Sequence, residues 1–417
     1  MTRQELSALF ERAETDLTGI YAGIDRTAER NTARVLEAFC RHRVSASHFA
    51  STDGYGYDDA GREAVEAVWA DVFGCEAALV RPAILCGSHA LTVGLFGLLR
   101  PGDILLSATG SPYDTLRQVV GLEGEEGRGS LRDFGVGYRE VPLSDGRPDL
   151  PAVIEALKEE AGRVKVVFVQ RSKGYLDRAS LSSEELGELI AAIRPYCGGA
   201  YVMVDNCYGE FVSDDEPSAR GADLTVGSLI KNPGGGMAEI GGYLCGTKAA
   251  VQLCAYRYSA PGMGAEVGAS LGQNKSILKG LFFAPHTVAQ ALKVAHLAAY
   301  VFSALGYPAS PAWDEPRADI IQSIRCGSAE GLVAFVRGIQ HGSPVDAYLT
   351  CDPWDMPGYA DPVIMAAGTF TQGSSIELSA DGPLRPPYLA YLQGGLTYES
   401  GKYALMKAAA ELTRCDE

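Results

Sequence analysis

Residues 200–243 read AYVMVDNCYGEFVSDDEPSARGADLTVGSLIKNPGGGMAEIGGY, and this stretch decides the fold. It opens with a short apolar run, Tyr201 to Val204, that predicts a buried strand ending on an acid, Asp205. A turn-rich acidic stretch, Ser213 to Arg220, follows. A second apolar run, Leu224 to Ile230, ends on Lys231, and Asn232, Pro233 and the glycines 234 to 236 forbid regular structure after it. Lys231 is thereby placed at the mouth of a buried strand. An ammonium there is poorly hydrated, so burial is expected to lower its pKa and make it a Schiff-base nucleophile. Pyridoxal 5'-phosphate (PLP) needs a lysine for its aldehyde, an acid for its ring nitrogen and donors for its phosphate. Lys231, Asp205 and Ser228 supply one each. A lysine before a loop is ordinarily a surface residue; the acid upstream and the glycines downstream favour the cofactor.

Working outward, Ala77 to Ile84 is strand-like and runs through Cys86, Gly87, Ser88 and His89 into an apolar helix. A strand, a glycine turn and a helix start form an anion site, because free N–H groups and the helix dipole point the same way. Asp103 to Ser107 predicts a strand, and Ser111 to Thr115 opens a helix in which Tyr113 could cover a planar ring. Val136 to Pro142 and Val164 to Gln170 read as strands, the latter followed by Arg171. Leu150 to Glu160 and Ser182 to Tyr196 read as helices, the second capped by Ser182 or Ser183. Gly241 to Gly246 is one more strand. Strands alternating with helices imply a mostly parallel sheet, with ligands at the strands' carboxyl ends. Gly87, Tyr113, Arg171, Asp205 and Lys231 all fall there.

The flanks differ. Residues 3–40 carry apolar positions at helical spacing, residues 54–59 form a loop, and Arg62 to Phe73 returns to helical period. Beyond about residue 265 a helix over Val288 to Leu305 and another over Ala329 to Gln340 are expected. Short strands are expected at Ile320 to Cys326, Ala347 to Thr350, Val363 to Thr371 and Ser374 to Leu378, with a last helix over Ser400 to Thr413. The expected division is an N-terminal helical segment with a subunit-contact loop (1–60), a large PLP-binding α/β domain (61–265) and a smaller C-terminal α+β domain (266–417).

The chain has 417 residues, with 36 Lys and Arg against 52 Asp and Glu, a net charge of −16. That balance disfavours nucleic acid and anionic membranes as partners. No apolar run approaches a membrane span, and the charged start, MTRQELSALFERAETDL, does not read as a signal peptide. The ten cysteines are scattered without a C-x-x-C pair, which disfavours zinc and points to small core residues of a reducing, cytoplasmic compartment.

Several segments, among them RVSASHFASTDGYGYDDAGRE, GSPYDTL, QRSKGY, VDNCYGEFV, LGQNKSILKGLFFAPH and SSIELSADGPLRPPYLAYLQGGLTYE, extend the match over roughly residues 30–410. With GADLTVGSLIKNPGGG they resemble the aluminium resistance or methionine γ-lyase-like family, a branch of the fold type I PLP enzymes related to cystathionine γ-lyase. The resemblance implies an aspartate aminotransferase-like large domain. It implies that Lys231 forms the Schiff base, Asp205 pairs with the ring nitrogen, and Gly87, Ser88, His89 and Ser228 hold the phosphate. It implies that Tyr113 stacks on the ring and assists proton transfer, and that Tyr55 or Tyr57 reaches the phosphate of a neighbouring subunit. A homodimer or homotetramer with shared sites follows from that. Arg385, with Arg171 beside it as a second candidate, is expected to bind the substrate carboxylate. Ala83, Ser88 and Ile240 stand where the family commonly has glutamine, threonine and threonine, which puts the usual substrate in question more than the cofactor.

The expected reaction is removal of a γ-substituent, thiol or halide, from a small amino acid. The rivals are a specialised lyase that takes chloride from a chlorinated allylglycine to give propargylglycine, and a non-catalytic PLP-fold protein.

Overall fold

The computed structural model describes residues 2–356, 359 and 361–413. The chain belongs to the α/β class: a seven-stranded, mostly parallel sheet between helices, followed by a five-stranded antiparallel sheet.

The large sheet contains β1 (Ala77–Arg81), β2 (Ile104–Ser107), β3 (Gly137–Glu140), β6 (Val164–Gln170), β7 (Tyr201–Asp205), β8 (Leu224–Ser228) and β9 (Gly242–Gly246), while β4 (Leu143–Ser144) and β5 (Arg147–Pro148) make a separate small hairpin. The spatial order is β1-β9-β8-β7-β6-β2-β3, and β9 alone runs antiparallel to its neighbours. Side chains of a strand alternate between faces, and β6 shows what that does. Val166 and Phe168 pack beneath α4 (Gly87–Leu98) and α8 (Lys248–Tyr258), while Val167 and Val169 pack against α6 (Leu150–Glu159) and α7 (Ser183–Ile193). Each fully buried Val or Phe contributes about 1.5–3 kcal/mol. The α7 helix starts at a capping box, with Ser182 as N-cap and Glu185 bonding back. The α5 helix (Asp114–Val120) lies on the α4 side.

The second sheet orders its strands β10-β11-β14-β13-β12, from β10 (Ala309–Ser310), β11 (Gln322–Arg325), β12 (Val363–Ala366), β13 (Ser379–Pro383) and β14 (Leu389–Gln393). It packs against α10 (Ala329–His341), α11 (Tyr398–Thr413) and α1 (Arg3–Asp16). A 31-residue helix, α9 (Asn274–Ala304), ties the two cores together. Its first half, Ile277 to Leu292, packs with α2 (Thr18–Arg41) and α3 (Ala60–Val72) below the large sheet. Its second half, Val294 to Phe302, packs below the small one.

Three expectations are corrected. The helix α9 begins fourteen residues before the expected Val288 and carries Pro285 inside it. Residues 347–350 and 374–378 form turns and bends, not strands. The strands in their place are β13 and β14. Ser379–Pro383 has turn composition but is buried throughout and paired on both sides, so tertiary pairing overrides local preference.

Candidate functional site

Lys231 follows β8 at the start of a one-turn 3-10 helix, Asn232–Gly234. The turn is held from two directions. The Asn232 side-chain amide donates to the carbonyls of Tyr208 (2.9 Å) and Glu210 (3.0 Å). At Gly234 there is no room for a side chain, since a Cβ would stand 1.6 Å from the Leu229 carbonyl oxygen. The glycines downstream of the lysine are therefore a requirement of the bend that aims it. Its Nζ lies 4.0 Å from the centre of the Tyr208 ring, within cation–π range.

Asp205 ends β7, hydrogen-bonded in register beside β8, and its Oδ1 accepts from the Cys207 N–H at 3.1 Å. Asp205 and Lys231 line one cavity of about 270 Å³. Gly87, Ser88, Tyr113 and Ser228 line it too. Gly87 begins α4, so the free N–H groups of that helix's first turn open onto this space. A Cβ on Gly87 would sit 3.4 Å from Cys207 Sγ and 3.5 Å from Ser228 Cβ, filling the cradle. Ser88 Oγ and Thr115 Oγ1 are 3.0 Å apart. The buried Ser228 hydroxyl has no partner among the described residues. Tyr113 caps α5; its N–H donates to Gln170 Oε1 at 2.8 Å, and its hydroxyl meets that of Tyr359 at 2.6 Å.

Other expected residues stand elsewhere. Arg171 does not line the cavity. It is fully buried, with Nη1 donating to Asn206 Oδ1 (2.8 Å) and Gly209 O (2.9 Å) and Nε to Leu181 O (3.2 Å), and it fastens the loops after β6 and β7. His89 turns back to accept from the Leu85 N–H at 3.1 Å and does not line the cavity. Arg385 lies in the adjoining cleft, beyond Tyr113 and Tyr175, paired with Asp361 at 2.7 Å. Tyr55 and Tyr57 stack on each other at 5.4 Å, are 65 % and 59 % exposed, and do not line this chain's cavity.

The cavity also holds residues that sequence reasoning missed. Tyr175, from the loop after β6, lies 5.7 Å from Tyr113, ring centre to ring centre, and the same distance from Tyr359. Cys207 and Tyr208 stand beside Lys231, and Asp381 reaches in from β13. QRSKGY and VDNCYGEFV had marked Tyr175, Cys207 and Tyr208 as part of a motif, but without a role.

Charge in the cavity is unevenly placed. Burial opposes the Lys231 ammonium, but Cys207, Tyr208 and Asp205 face it and outweigh burial, holding its pKa above the ordinary lysine range. This corrects the expectation of a lowered lysine pKa: desolvation was weighed without the titratable side chains that the fold brings against the amine. Burial raises the Asp205 carboxyl, and Lys231 opposes the rise. Burial also pushes the Tyr113 phenol well up, helped by Tyr359 and Tyr208.

This donor set fits PLP on three counts. A lysine and an acid share the cavity, a glycine leaves a cradle at a helix start, and a buried serine hydroxyl beside that cradle lacks a partner.

A family model for methionine gamma-lyase matches residues 6–413. An uncharacterised Bacillus subtilis protein, YnbB, is 51 % identical over 400 residues, covering 96 % of this chain and 94 % of that protein. The crystal structure of a carbon-sulfur lyase involved in aluminum resistance from Clostridium novyi superposes with a TM-score of 0.94 at 44 % identity, covering 99 % of this chain and 96 % of that one. A pyridoxal-5'-phosphate dependent protein from Escherichia coli, YhfS, shares the fold alone, with a TM-score of 0.63 at 18 % identity over 94 % of this chain and 97 % of that one.

Proposed function

Because the chain belongs to the methionine gamma-lyase family of PLP-dependent carbon–sulfur lyases, we propose that it removes a thiol from the γ-carbon of a small amino acid, with Lys231 as the residue that carries PLP. The observation behind this reading is a shared cavity. Lys231, Asp205, Gly87, Ser88, Ser228, Tyr113, Tyr175 and Tyr208 line it from the large-sheet side, and Tyr359 and Asp381 from the other. When bound, PLP supplies an electron sink that makes protons near the amino group acidic.

The chain's own residues do the rest. Gly87, Ser88, the α4 N–H groups and Ser228 would hold the phosphate, whose charge the helix start favours. Asp205 would keep a proton on the ring nitrogen, and Tyr113 would pack on the ring. Lys231, once its amine is free, would act as the general base at Cα, and again at Cβ after it has given up the first proton. Tyr113, Tyr175, Tyr359 and Met365 line the space where the reacting carbons would lie.

Tyr55 and Tyr57, exposed and stacked, are proposed to complete the phosphate site of a second copy, which makes the enzyme a homodimer or a homotetramer. The location proposed is the cytoplasm; among the described residues no helix is long and apolar enough to cross a membrane.

The test is direct. Purified protein is offered sulfur amino acids of the methionine and cystathionine type and a chlorinated allylglycine, and 2-oxo acid, thiol and chloride are assayed. Thiol with oxo acid is expected. Chloride release alone would replace this reading with the propargylglycine-forming one, and bound PLP without any turnover would favour a non-catalytic protein. Lys231→Ala should abolish both turnover and the cofactor that wild type retains after borohydride reduction, denaturation and filtration, read by absorbance; retention of either removes Lys231 from its role.

A further inference from the structure

Asp381 takes no part in holding the cofactor. It stands on β13, the wall of the cavity opposite Gly87 and Ser228, and is 7 % exposed. Its Oδ1 is buried and has no hydrogen-bond partner among the described residues. Lys231 is the one cation among the described residues lining the cavity, against two carboxyls, Asp205 and Asp381. A buried carboxyl with one oxygen unpartnered is costly to ionise, so such a group keeps its proton to higher pH even with Tyr175 and Gln393 hydrogen-bonded to it. Burial raises Asp381 to about 7, with Tyr175, Lys231 and Gln393 opposing. Tyr113, Tyr208, Tyr359 and Tyr391 also face it, and their phenols are themselves pushed upward by burial. They stay neutral where Asp381 titrates.

We propose that Asp381 is the acid that protonates the departing sulfur, so that the pocket selects substrates whose leaving group needs a proton, alkyl thiols rather than halides. This rests on the γ-elimination reading above. As the Cγ–S bond breaks, its electron pair stays with sulfur. The electron pair of a Cβ–H bond becomes the Cβ=Cγ double bond, and the Cβ proton goes to the Lys231 amine. The proton arriving on sulfur comes from the Asp381 carboxyl, which is left as carboxylate and regains a proton from water. Tyr113 is the poorer donor, because its phenol is pushed well above 10. A chloride leaves as a stable anion and gains nothing from an acid at this place.

The experiment uses PLP-loaded wild type and Asp381→Asn with an S-methyl and an S-(4-nitrophenyl) γ-thioether amino acid, the second leaving as a stabilised thiolate. Methanethiol release should fall by about 10²–10⁴-fold in the variant, the usual worth of a general acid. Nitrothiophenol release should be nearly unchanged. Exchange of the Cα proton in D₂O, followed by NMR, should match wild type. Equal losses for both substrates, or no loss for either, would overturn the role of Asp381. Wild type should lose its rate on the S-methyl substrate as pH rises through about 7 and keep it on the aryl one. That contrast decides the matter if Asp381→Asn does not fold, and its absence overturns the proposal. Cα exchange without thiol release from either substrate would instead defeat the γ-elimination reading itself.

Discussion

Lys231 shows how far a single side chain can be understood from its neighbours along the chain, and where that stops. Its position at a strand end follows from local sequence: an apolar run, then Pro233 and three glycines. Its charge state follows from Cys207, Tyr208 and Asp205, which the fold brings against it. Arg171 makes the opposite point. A basic residue after a strand looked like a carboxylate ligand, yet its guanidinium is buried, with Nη1 and Nε donating to Asn206, Gly209 and Leu181. Arg171→Ala should therefore act on stability. Losing hydrogen bonds of a buried charge costs about 3 kcal/mol, read as a lower midpoint in urea, with KM for the amino-acid substrate little changed in the folded fraction. A KM rise of tenfold or more at unaltered stability would return Arg171 to substrate binding. Asp381 was illegible for a different reason: Ser-Ala-Asp-Gly-Pro carries every mark of a turn.

Among the elements, α9 does the most to position the site. Gly280 on this helix approaches the Lys231 turn so closely that a Cβ would stand 2.3 Å from the Gly234 carbonyl oxygen. Gly280 and Pro285 fit a helix only because packing holds it, which is why local propensity placed its start too late. The same helix carries a pH-sensitive residue. His296 Nδ1 donates to the Trp313 carbonyl at 2.7 Å, and burial, with Arg317 nearby, pushes its pKa down to about 3. The folded state thus keeps this histidine neutral while the unfolded chain binds a proton below about 6.5. Its contribution is complete above that pH and is lost as pH falls from about 6.5 toward 3. Thermal unfolding should shift to lower temperature between pH 7 and pH 4, by a few kcal/mol from this residue. His296→Asn, which keeps a donor to Trp313 but cannot titrate, should flatten that slope; a slope identical to wild type would acquit His296.

At the scale of the molecule, two sheets built from distant parts of the chain meet across one cavity, and Lys231 and Asp381 are partners only because of that meeting. The exposed Tyr55–Tyr57 pair, proposed to serve a second copy, has a test at this scale. Mixing Lys231→Ala chains with a Tyr55→Phe, Tyr57→Phe double variant, unfolding and refolding them together, should restore about a quarter of wild-type activity per chain, because a mixed dimer has one intact site. Neither parent should exceed a few per cent alone. Absence of recovery in verified mixed dimers would place each site within one chain.

The sequence by itself determined the α/β order of elements, a lysine and an acid at neighbouring strand ends, and the glycine turn at the start of α4. All of these are set by short-range patterns: period-two burial, strand ends, and glycine where a side chain cannot fit. The tertiary structure alone decided that Arg171 is a fastener, that Lys231 keeps its proton, and that Asp381 faces it from about 150 residues away. Those outcomes depend on which groups share a dry cavity. Desolvation and Coulomb interaction act through space, and in the folded chain distance through space bears no fixed relation to distance along the sequence.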